Sequence, residues 1–235
     1  MRRLAVNKIV FDDEVEIPDR PNGLELSANS DVFIHDLEMS RIISRTDDRL
    51  IAFFGGSNIQ PGSFYYEQAV SLAEAVSSAG CAVMTGGGPG IMEAANKGAS
   101  NNRSYGILVS AIRNEFSGSN SYINQNRRFV FSTLSLRLLT LISNSDAVIF
   151  FPGGFGTFEE LFSLLVREKI EMMQKIPIYL FGSRFWNGLL EWLKDSAIAE
   201  GVIGEQHLEL FRIEDDIHKI TDEIINHCFS DTRGV

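Results

Sequence analysis

The chain has 235 residues, a formal net charge of −10 and 44% hydrophobic residues, enough for one α/β domain with a sizeable core. The acidic balance makes nucleic acid and anionic membranes poor partners, and no apolar stretch approaches the roughly eighteen residues of a membrane span. Cys81 and Cys228, far apart in the sequence, fit core positions in a reducing compartment better than a disulfide scaffold. We therefore expect a cytoplasmic protein that binds neither nucleic acid nor membrane.

The first fifty residues are more polar and less periodic than the rest of the chain. Charges interrupt the opening MRRLAVNKIVFDDEVE too early for a secretory signal peptide. We expect residues 1–49 to form an arm with a short helix around Asp36–Arg45, and residues 50–235 to form a single domain.

From Leu50 onward, short apolar runs alternate with helical patterns. The runs are typical of parallel strands covered on both faces: Leu50–Phe54, Cys81–Met84, Tyr105–Ser110, Phe129–Phe131, Ala147–Phe151 and Ile178–Phe181. The predicted helices are Ser63–Ala79, Ile91–Gly98, Leu134–Ser143, Thr157–Glu171, a segment near Phe185–Lys194, and Asp215–Cys228. This alternation predicts an α/β fold with a doubly wound, mostly parallel sheet and helices on both faces.

Two glycine-rich loops each stand between a predicted strand and a predicted helix. The first is TGGGPGIMEAANKGA (Thr85–Ala99), and the second is PGGFGTFEE (Pro152–Glu160). Glycines let the backbone approach a ligand closely, and the N-terminus of the following helix directs unsatisfied N–H groups and partial positive charge at it. Both loops fall at the carboxyl ends of strands, where ligands bind in such sheets. Together they predict a phosphate held from two sides.

Neither loop fits the commonest phosphate-binding patterns. A P-loop needs Lys followed by Ser or Thr after its last glycine, and this pair is missing. The G-x-G-x-x-G fingerprint fails because its third glycine would fall on Ile91, Glu93 or Glu159. The remaining interpretation is a mononucleotide or sugar-phosphate ligand, with carboxylates beside it in the second loop.

Thr157 and Glu160 allow two interpretations. They match the capping box, in which Thr caps a helix and Glu reaches back to the cap. A helix start alone, however, does not need the glycines at 153, 154 and 156, which keep that corner free of side chains. Glu159 should point roughly 100° away from Glu160 and act only through its charge.

Arg137 is the single charge in TLSLRLLTLIS (Thr133–Ser143), a segment that is apolar nearly all round. Such a helix is buried, and a buried guanidinium needs a carboxylate, phosphate or carbonyl partner. A structural ion pair remains the alternative to a functional role. Glu93 is either a binding residue or a charge at a helix N-terminus, and Arg127 and Arg128 either contact substrate or solvate a loop.

Other chemistries lack support in the sequence. The four histidines, at positions 35, 207, 218 and 227, show no metal-ligand spacing with one another or with the cysteines, so we expect no metal site. A G-x-S-x-G motif is missing, and no Lys stands in a context typical of a Schiff base.

The two loops together resemble the LONELY GUY family, nucleotide phosphoribohydrolases long mislabelled as lysine decarboxylases. The resemblance covers about Ile51 to Trp192, and it includes the GGS at Gly55–Ser57 and WNGLLEW at Trp186–Trp192, which are similar to the longer, bacterial-type branch. It implies a Rossmann-like nucleotide-binding domain over residues 50–235 and a homodimer or larger homo-oligomer. It also implies cofactor-free cleavage of the N-glycosidic bond of nucleoside 5′-monophosphates, AMP-like or cytokinin riboside monophosphates, to free base and ribose 5-phosphate.

By the same resemblance, the family motif P-G-G-x-G-T-x-x-E falls on Pro152–Glu160, so the catalytic residues are Glu160 and Arg137. The loops and the resemblance together predict the following substrate- and phosphate-binding residues: Gly56, Ser57, Gly86, Gly87, Gly88, Gly90, Glu93, Gly153, Gly154, Gly156 and Thr157. Glu160 would stabilise an oxocarbenium-like transition state and activate water, and Arg137 would keep Glu160 ionised at neutral pH.

Leu138 departs from the family pattern. The family usually has a Lys directly after the catalytic Arg, so the leucine removes a cation near the substrate. The related molybdenum-cofactor carrier proteins share the fold and the loops without this hydrolysis. A non-catalytic carrier of a nucleotide or of molybdenum cofactor is therefore the alternative function.

Overall fold

The computed structural model describes residues 30–99, 101–110 and 119–230. Residues 1–29 of the arm predicted over residues 1–49, and part of the loop expected between positions 111 and 126, lie outside these ranges. The seven strands of the described chain form one sheet in the order β4-β3-β2-β1-β5-β6-β7. The strands are β1 (Leu50–Phe54), β2 (Ala82–Thr85), β3 (Ser104–Val109), β4 (Arg128–Phe131), β5 (Ala147–Phe150), β6 (Ile178–Leu180) and β7 (Arg212–Ile213).

Every neighbouring pair of strands runs parallel, for example with Ile51 opposite Val83 in β2 and Ala147 in β5. β1, β2 and β5 are buried along their whole length, which is why their sequences are continuous apolar runs rather than alternating ones. The predicted parallel sheet is confirmed. The two-residue strand β7 was not predicted, because it is too short to show a pattern.

Seven α-helices of the described chain cover both faces of the sheet. They are α1 (Ser30–Ile43), α2 (Phe64–Ser78), α3 (Ile91–Gly98), α4 (Leu134–Ser143), α5 (Phe155–Lys169), α6 (Ser183–Trp192) and α7 (Ile217–Phe229). α2, α3 and α7 bury their apolar sides in a core on one face. α1, α4, α5 and α6 contribute to the core on the other face. The doubly wound Rossmann-like α/β architecture is therefore confirmed.

The predicted core positions of the cysteines are confirmed, whereas two of the helix boundaries differ from the prediction. Cys81 and Cys228 are both buried free thiols in the same core cluster. α3 and α4 span the predicted residues, whereas α5 begins two residues earlier than predicted. α1 is longer than the short helix expected around Asp36–Arg45, and its Ile43 is 1% exposed in the core beside α4.

Candidate active site

Three loops meet at the carboxyl ends of the central strands. β1, β2 and β5 are neighbours in the sheet, so Gly55–Ser57, Gly86–Gly90 and Pro152–Gly156 emerge side by side. Backbone hydrogen bonds join them: Gly56 N–H donates to the Pro152 carbonyl at 2.9 Å, and Ile91 N–H donates to the Gly56 carbonyl at 3.2 Å. Strands β2 to β4 lie on one side of β1 and strands β5 to β7 lie on the other, so the strand order reverses between β1 and β5. Doubly wound folds bind ligands at this switch point.

A cavity of about 680 Å³ opens at this junction. That volume lies in the range of small-molecule sites. Ten of the predicted site residues line it: Gly56, Ser57, Gly86, Gly87, Gly88, Arg137, Gly154, Gly156, Thr157 and Glu160. The structure therefore brings the two glycine loops and the two predicted catalytic side chains to one cavity.

Three predicted site residues do not line the cavity. Gly90 precedes α3, where its backbone packs against the Gly56 carbonyl, and Gly153 packs against the side chain of Thr157. Glu93 accepts a hydrogen bond from the Tyr66 hydroxyl at 3.0 Å. Burial, together with this carboxylate, raises the pKa of Tyr66. Glu93 thus has a structural partner between α2 and α3.

Arg137 and Glu160 form an ion pair across the wall of the cavity. Arg137 Nη1 donates to Glu160 Oε1 at 3.1 Å, and the side chains are 11% and 14% exposed. The Arg137 Nε donates to the Ile107 carbonyl at 3.0 Å, which fixes the guanidinium between β3 and α5. Gly86 makes this position available, because a Cβ there would overlap the guanidinium. The carboxylate partner that burial of Arg137 required is therefore Glu160.

Burial dominates the protonation of Glu160. Removal from water raises its pKa to about 7, Arg137 opposes that rise by charge and hydrogen bonding, and Glu159 adds a small increase. Arg137 thus favours the ionised form of Glu160, as expected, but burial outweighs its effect and leaves the pKa near 7, so that Glu160 is partly ionised at neutral pH. A carboxyl group with a pKa near 7 is suited to proton transfer at physiological pH.

The interpretation of Thr157 as the N-cap of a capping box was wrong. α5 begins at Phe155 with Gly154 at its N-cap, so Thr157 lies within the first turn and Glu160 one turn further along the helix. No side chain caps this end of α5. The first N–H groups of a helix have no carbonyl partner within it, and here that first turn borders the cavity. The arrangement suits an anionic ligand group.

Several cavity residues were missed or left open by the sequence. Arg128, from the edge strand β4, lines the cavity and donates from Nε to the Ser119 hydroxyl at 3.3 Å. Arg127 points elsewhere: it pairs with Asp48 at 2.6 Å and lies over the Tyr105 ring. The two neighbours belong to different elements, since Arg127 ends a 3-10 helical turn (Gln125–Arg127) and Arg128 begins β4. The three-residue apolar run in the sequence does not reveal this boundary.

Asn120 holds the first glycine loop in place. Its side-chain amide donates to the carbonyls of Gly87 and Gly88 at 3.2 and 3.1 Å, and to Asn96 Oδ1 at 3.0 Å. Thr85 supports the same loop by accepting from Gly87 N–H at 2.9 Å. Holding these carbonyls fixes the orientation of the peptides that border the cavity. Asn120 lies in a polar stretch without periodicity, so no local pattern pointed to this role.

The rest of the lining is mostly apolar. It includes Met92, Leu108, Val130, Leu134 and Leu138, with Phe155 at 95% exposure and Glu159 on the first turns of α5. Leu138 thus lies at the cavity itself, 8% exposed. Over residues 30–99, 101–110 and 119–230, no group of three or more His, Cys, Asp or Glu side chains is arranged to hold a metal ion. None of the helices in these ranges is long and apolar enough to span a membrane.

Solved structures with this fold include molybdenum-cofactor proteins. The molybdenum cofactor binding protein of Rippkaea orientalis is 18% identical, with a TM-score of 0.51 over 76% of this chain and 96% of that chain. The molybdenum cofactor carrier protein of Chlamydomonas reinhardtii is 17% identical, with a TM-score of 0.51 over 77% of this chain and 98% of that chain. At these identities the similarity shows the shared fold alone.

Sequence comparison is more specific. The chain is 27% identical over 166 residues to the cytokinin riboside 5′-monophosphate phosphoribohydrolase LOG3 of Arabidopsis thaliana, covering 69% of this chain and 75% of that protein. A family model described as "Possible lysine decarboxylase" matches residues 91–224, which include both α4 and the second glycine loop. Since this match spans more than half of the chain, the protein belongs to the LONELY GUY-like family that bears this description.

Proposed function

We propose that this protein hydrolyses the N-glycosidic bond of nucleoside 5′-monophosphates to free base and ribose 5-phosphate. The observation that carries the proposal is the Arg137–Glu160 pair, which is buried in the wall of a cavity bordered by two glycine loops. The family match and the 27% identity to a phosphoribohydrolase support the same reaction class. Hydrolysis consumes only water, so the proposal includes no cofactor.

The phosphate would bind at the loops. The first turn of α5 borders the cavity with N–H groups that have no carbonyl partner within the helix, the donors from which phosphates accept at helix N-termini, and Gly86–Gly88 line the cavity beside it. Binding the phosphate at that end leaves the apolar wall, with Met92, Leu108 and Val130, to accept a planar base. The ribose would then lie between the two, beside Glu160.

Cleavage would follow from the charges around the ribose. Breaking the C1′–N bond develops positive charge on the sugar ring, as in glycoside hydrolysis. The carboxylate of Glu160 stabilises that charge and takes a proton from the attacking water, while Arg137 orients Glu160 and contacts the ribose or phosphate. Water adds its hydroxyl to C1′ as the C1′–N bond breaks. The departing base takes up one proton from solvent and Glu160 returns the proton of the attacking water to solvent, so the reaction releases none overall.

The test is incubation with a panel of nucleoside 5′-monophosphates, followed by chromatography for free base and ribose 5-phosphate. Glu160→Gln should reduce release at least about a hundredfold, since general-base and electrostatic contributions are each of that size. Ligand-induced stabilisation against heating should persist in this variant. Glu191→Gln, an exposed carboxylate on α6, is the matched control and should release base at the normal rate.

Leu138 favours a second candidate function. A leucine replaces the cation that the family usually places beside the arginine, and it lies at the cavity. The protein would then be a carrier of a nucleotide or of molybdenum cofactor. If all monophosphates stay intact over long incubation while one of them raises the melting temperature, the hydrolase proposal is wrong and the carrier is supported.

A further inference from the structure

The N-terminus of α4 is capped by a residue from another helix. The N-cap residue Thr133 makes no side-chain cap of its own; its hydroxyl donates to Asp36 Oδ2 at 2.8 Å. Thr133 N–H donates to the same oxygen at 2.8 Å, and Ser132 N–H donates to Asp36 Oδ1 at 2.9 Å. One carboxylate on α1 thus receives the main-chain and side-chain donors that precede α4.

Asp36 is suited to act as a permanent anion there. It is 0% exposed, and the only ionisable group paired with it in the described chain is His35, whose half-exposed ring is 3.5 Å away. Burial would raise the pKa of Asp36, but the bonds from Ser132 and Thr133 outweigh it and hold the pKa below its usual range. An ionised carboxylate at a helix N-terminus also interacts favourably with the helix dipole.

Thr133 connects Asp36 to Arg137 directly. The carbonyl of Thr133 accepts the backbone N–H of Arg137 at 3.2 Å, in the first turn of α4. Thr133 therefore donates two hydrogen bonds to Asp36 and accepts one from the backbone N–H of Arg137. From that backbone, the guanidinium reaches the Ile107 carbonyl and Glu160.

We propose that Asp36 is a positioning residue for the active site: through Thr133 it sets the placement of Arg137 against Glu160. α1 precedes residues 91–224, so this contribution comes from outside the stretch matched by the family model. The proposal rests on the proposed function for its kinetic readout. The structural part of the proposal, the placement of the Arg137 guanidinium against the Glu160 carboxylate, can be tested without that function.

A displaced Arg137 has a specific signature. Within residues 30–99, 101–110 and 119–230, the charged groups around Glu160 are Arg137 from α4, Glu159 from its own helix and Arg128, which lines the same cavity from β4. Of these, Arg137 is the one that opposes the effect of burial on the Glu160 carboxyl. Loosening Arg137 should therefore raise the pKa of Glu160 and move the acid limb of the activity profile to higher pH.

The experiment compares Asp36→Asn with Glu38→Gln, an exposed acid on the same helix. Asp36→Asn should lower kcat about tenfold with a smaller change in KM, and should move the acid limb upward in pH, as expected when an electrostatic contribution is weakened. Arg137→Gln should move the limb in the same direction and further. Asp36→Glu should recover part of the loss, and Glu38→Gln should leave both readouts unchanged.

A purely structural role for Asp36 predicts something different. The melting temperature would fall, while the acid limb and kcat per folded molecule would stay at wild-type values; that result overturns the proposal. If Asp36→Asn does not fold, Thr133→Val removes only the hydroxyl donor and keeps both backbone donors. It should give a smaller shift in the same direction, and an unmoved limb in a folded Thr133→Val protein would equally overturn the proposal.

Failure of the proposed function is separable from failure of this inference. If the wild-type protein releases no base, the protonation of Glu160 is followed without substrate, by nuclear magnetic resonance of carboxyl-labelled glutamate. Asp36→Asn should raise the titration midpoint of that signal whether or not the protein is catalytic. An unchanged midpoint overturns the positioning role, and the nucleotide panel decides the hydrolase role independently.

Discussion

At the scale of single residues, two opposing effects set the pKa of Glu160: burial raises it and pairing with Arg137 lowers it. Arg137 and Glu160 are 3.1 Å apart, yet the carboxyl still titrates near neutrality because burial penalises its charged form more than one cation restores. A fully exposed pair of the same geometry would leave the carboxylate ionised down to acid pH. Burial also raises the pKa of Glu168 on the same helix, but of these two buried carboxyl groups Glu160 is the one that lines the cavity.

The first prediction concerns pH. Because the pKa of Glu160 is raised from 4.5 to about 7, its carboxylate fraction grows as the pH rises through 7. If the carboxylate is the active form, kcat/KM at pH 6 should be about a tenth of its alkaline plateau, as protonation at one pH unit below the pKa requires. Initial rates between pH 5.5 and 9, with melting temperatures measured alongside, check this. Flat rates over that range would contradict it.

The second prediction concerns Gly86. A Cβ at this position would overlap the guanidinium of Arg137 and lie 2.9 Å from the Met92 sulfur, so Gly86→Ala should displace Arg137. Misplacing a catalytic group by about an ångström costs on the order of a hundredfold in rate. We expect a folded protein with base release reduced to that extent. Gly188→Ala on α6, where a Cβ meets nothing within 4 Å, is the matched control.

At the scale of elements, apolar runs and glycine loops in the sequence predicted most of the scaffold. Six of the seven described strands and the extent of α3 and α4 followed from them. The start of α5 did not, because Gly154 at the cap leaves no side-chain signal and Thr157 imitates a cap two residues inside the helix. Asp36 and Asn120 could not be predicted either, since their partners lie 97 and 33 positions away and leave no local pattern.

The third prediction concerns the packing of α3 against the loop after β1. Gly90 has a φ of 69°, and a Cβ there would overlap the Gly56 carbonyl and lie 2.7 Å from that of Ser57. Gly62 has a similar φ of 80° with nothing within 4 Å. Gly62→Ala should therefore lower the free energy of unfolding by about 1–2 kcal/mol from backbone strain alone. Gly90→Ala should lower it by at least about 2 kcal/mol more, because backbone carbonyls cannot move aside and because the Gly90 ψ of −126° lies outside the left-handed region that other residues can enter.

Denaturant unfolding of the two variants measures that difference. Equal losses of stability in the two variants would contradict the prediction. They would mean that the loop after β1 moves to make room for the methyl group of Gly90→Ala.

At the scale of the whole molecule, α5 carries an exposed apolar stripe that leads away from the cavity. Phe155, Phe162, Val166 and Ile170 follow one another at helical spacing and are 95%, 39%, 53% and 54% exposed. Exposed apolar side chains that share one face of a helix in this way, here with Glu159 between the first two, are typical of contacts between subunits. The homo-oligomer expected from the sequence stays a prediction, and this stripe is the surface on which we expect a second copy to pack.

The fourth prediction tests that surface. Val166→Glu places a charge in the centre of the stripe and should convert a dimer or larger assembly to monomers at micromolar concentration, because burying an unpaired carboxylate in an apolar contact is unfavourable. Val202→Glu, at another exposed valine, is the matched control and should leave the assembly intact. Light scattering after size-exclusion chromatography gives the masses. A monomeric wild-type protein would contradict the prediction.

The strand order makes the cavity depend on both sides of the sheet. Residues up to Phe131 build the sheet outward from β1 on one side, and residues from Ala147 onward build it on the other. One glycine loop belongs to each flank, so neither half encloses a ligand by itself. A ligand at a hundred times its Kd adds about 2.7 kcal/mol to the stability of the state that binds it. Here the state that binds has both sides of the sheet folded together. A bound ligand should therefore stabilise the protein against global unfolding rather than against the opening of a single loop.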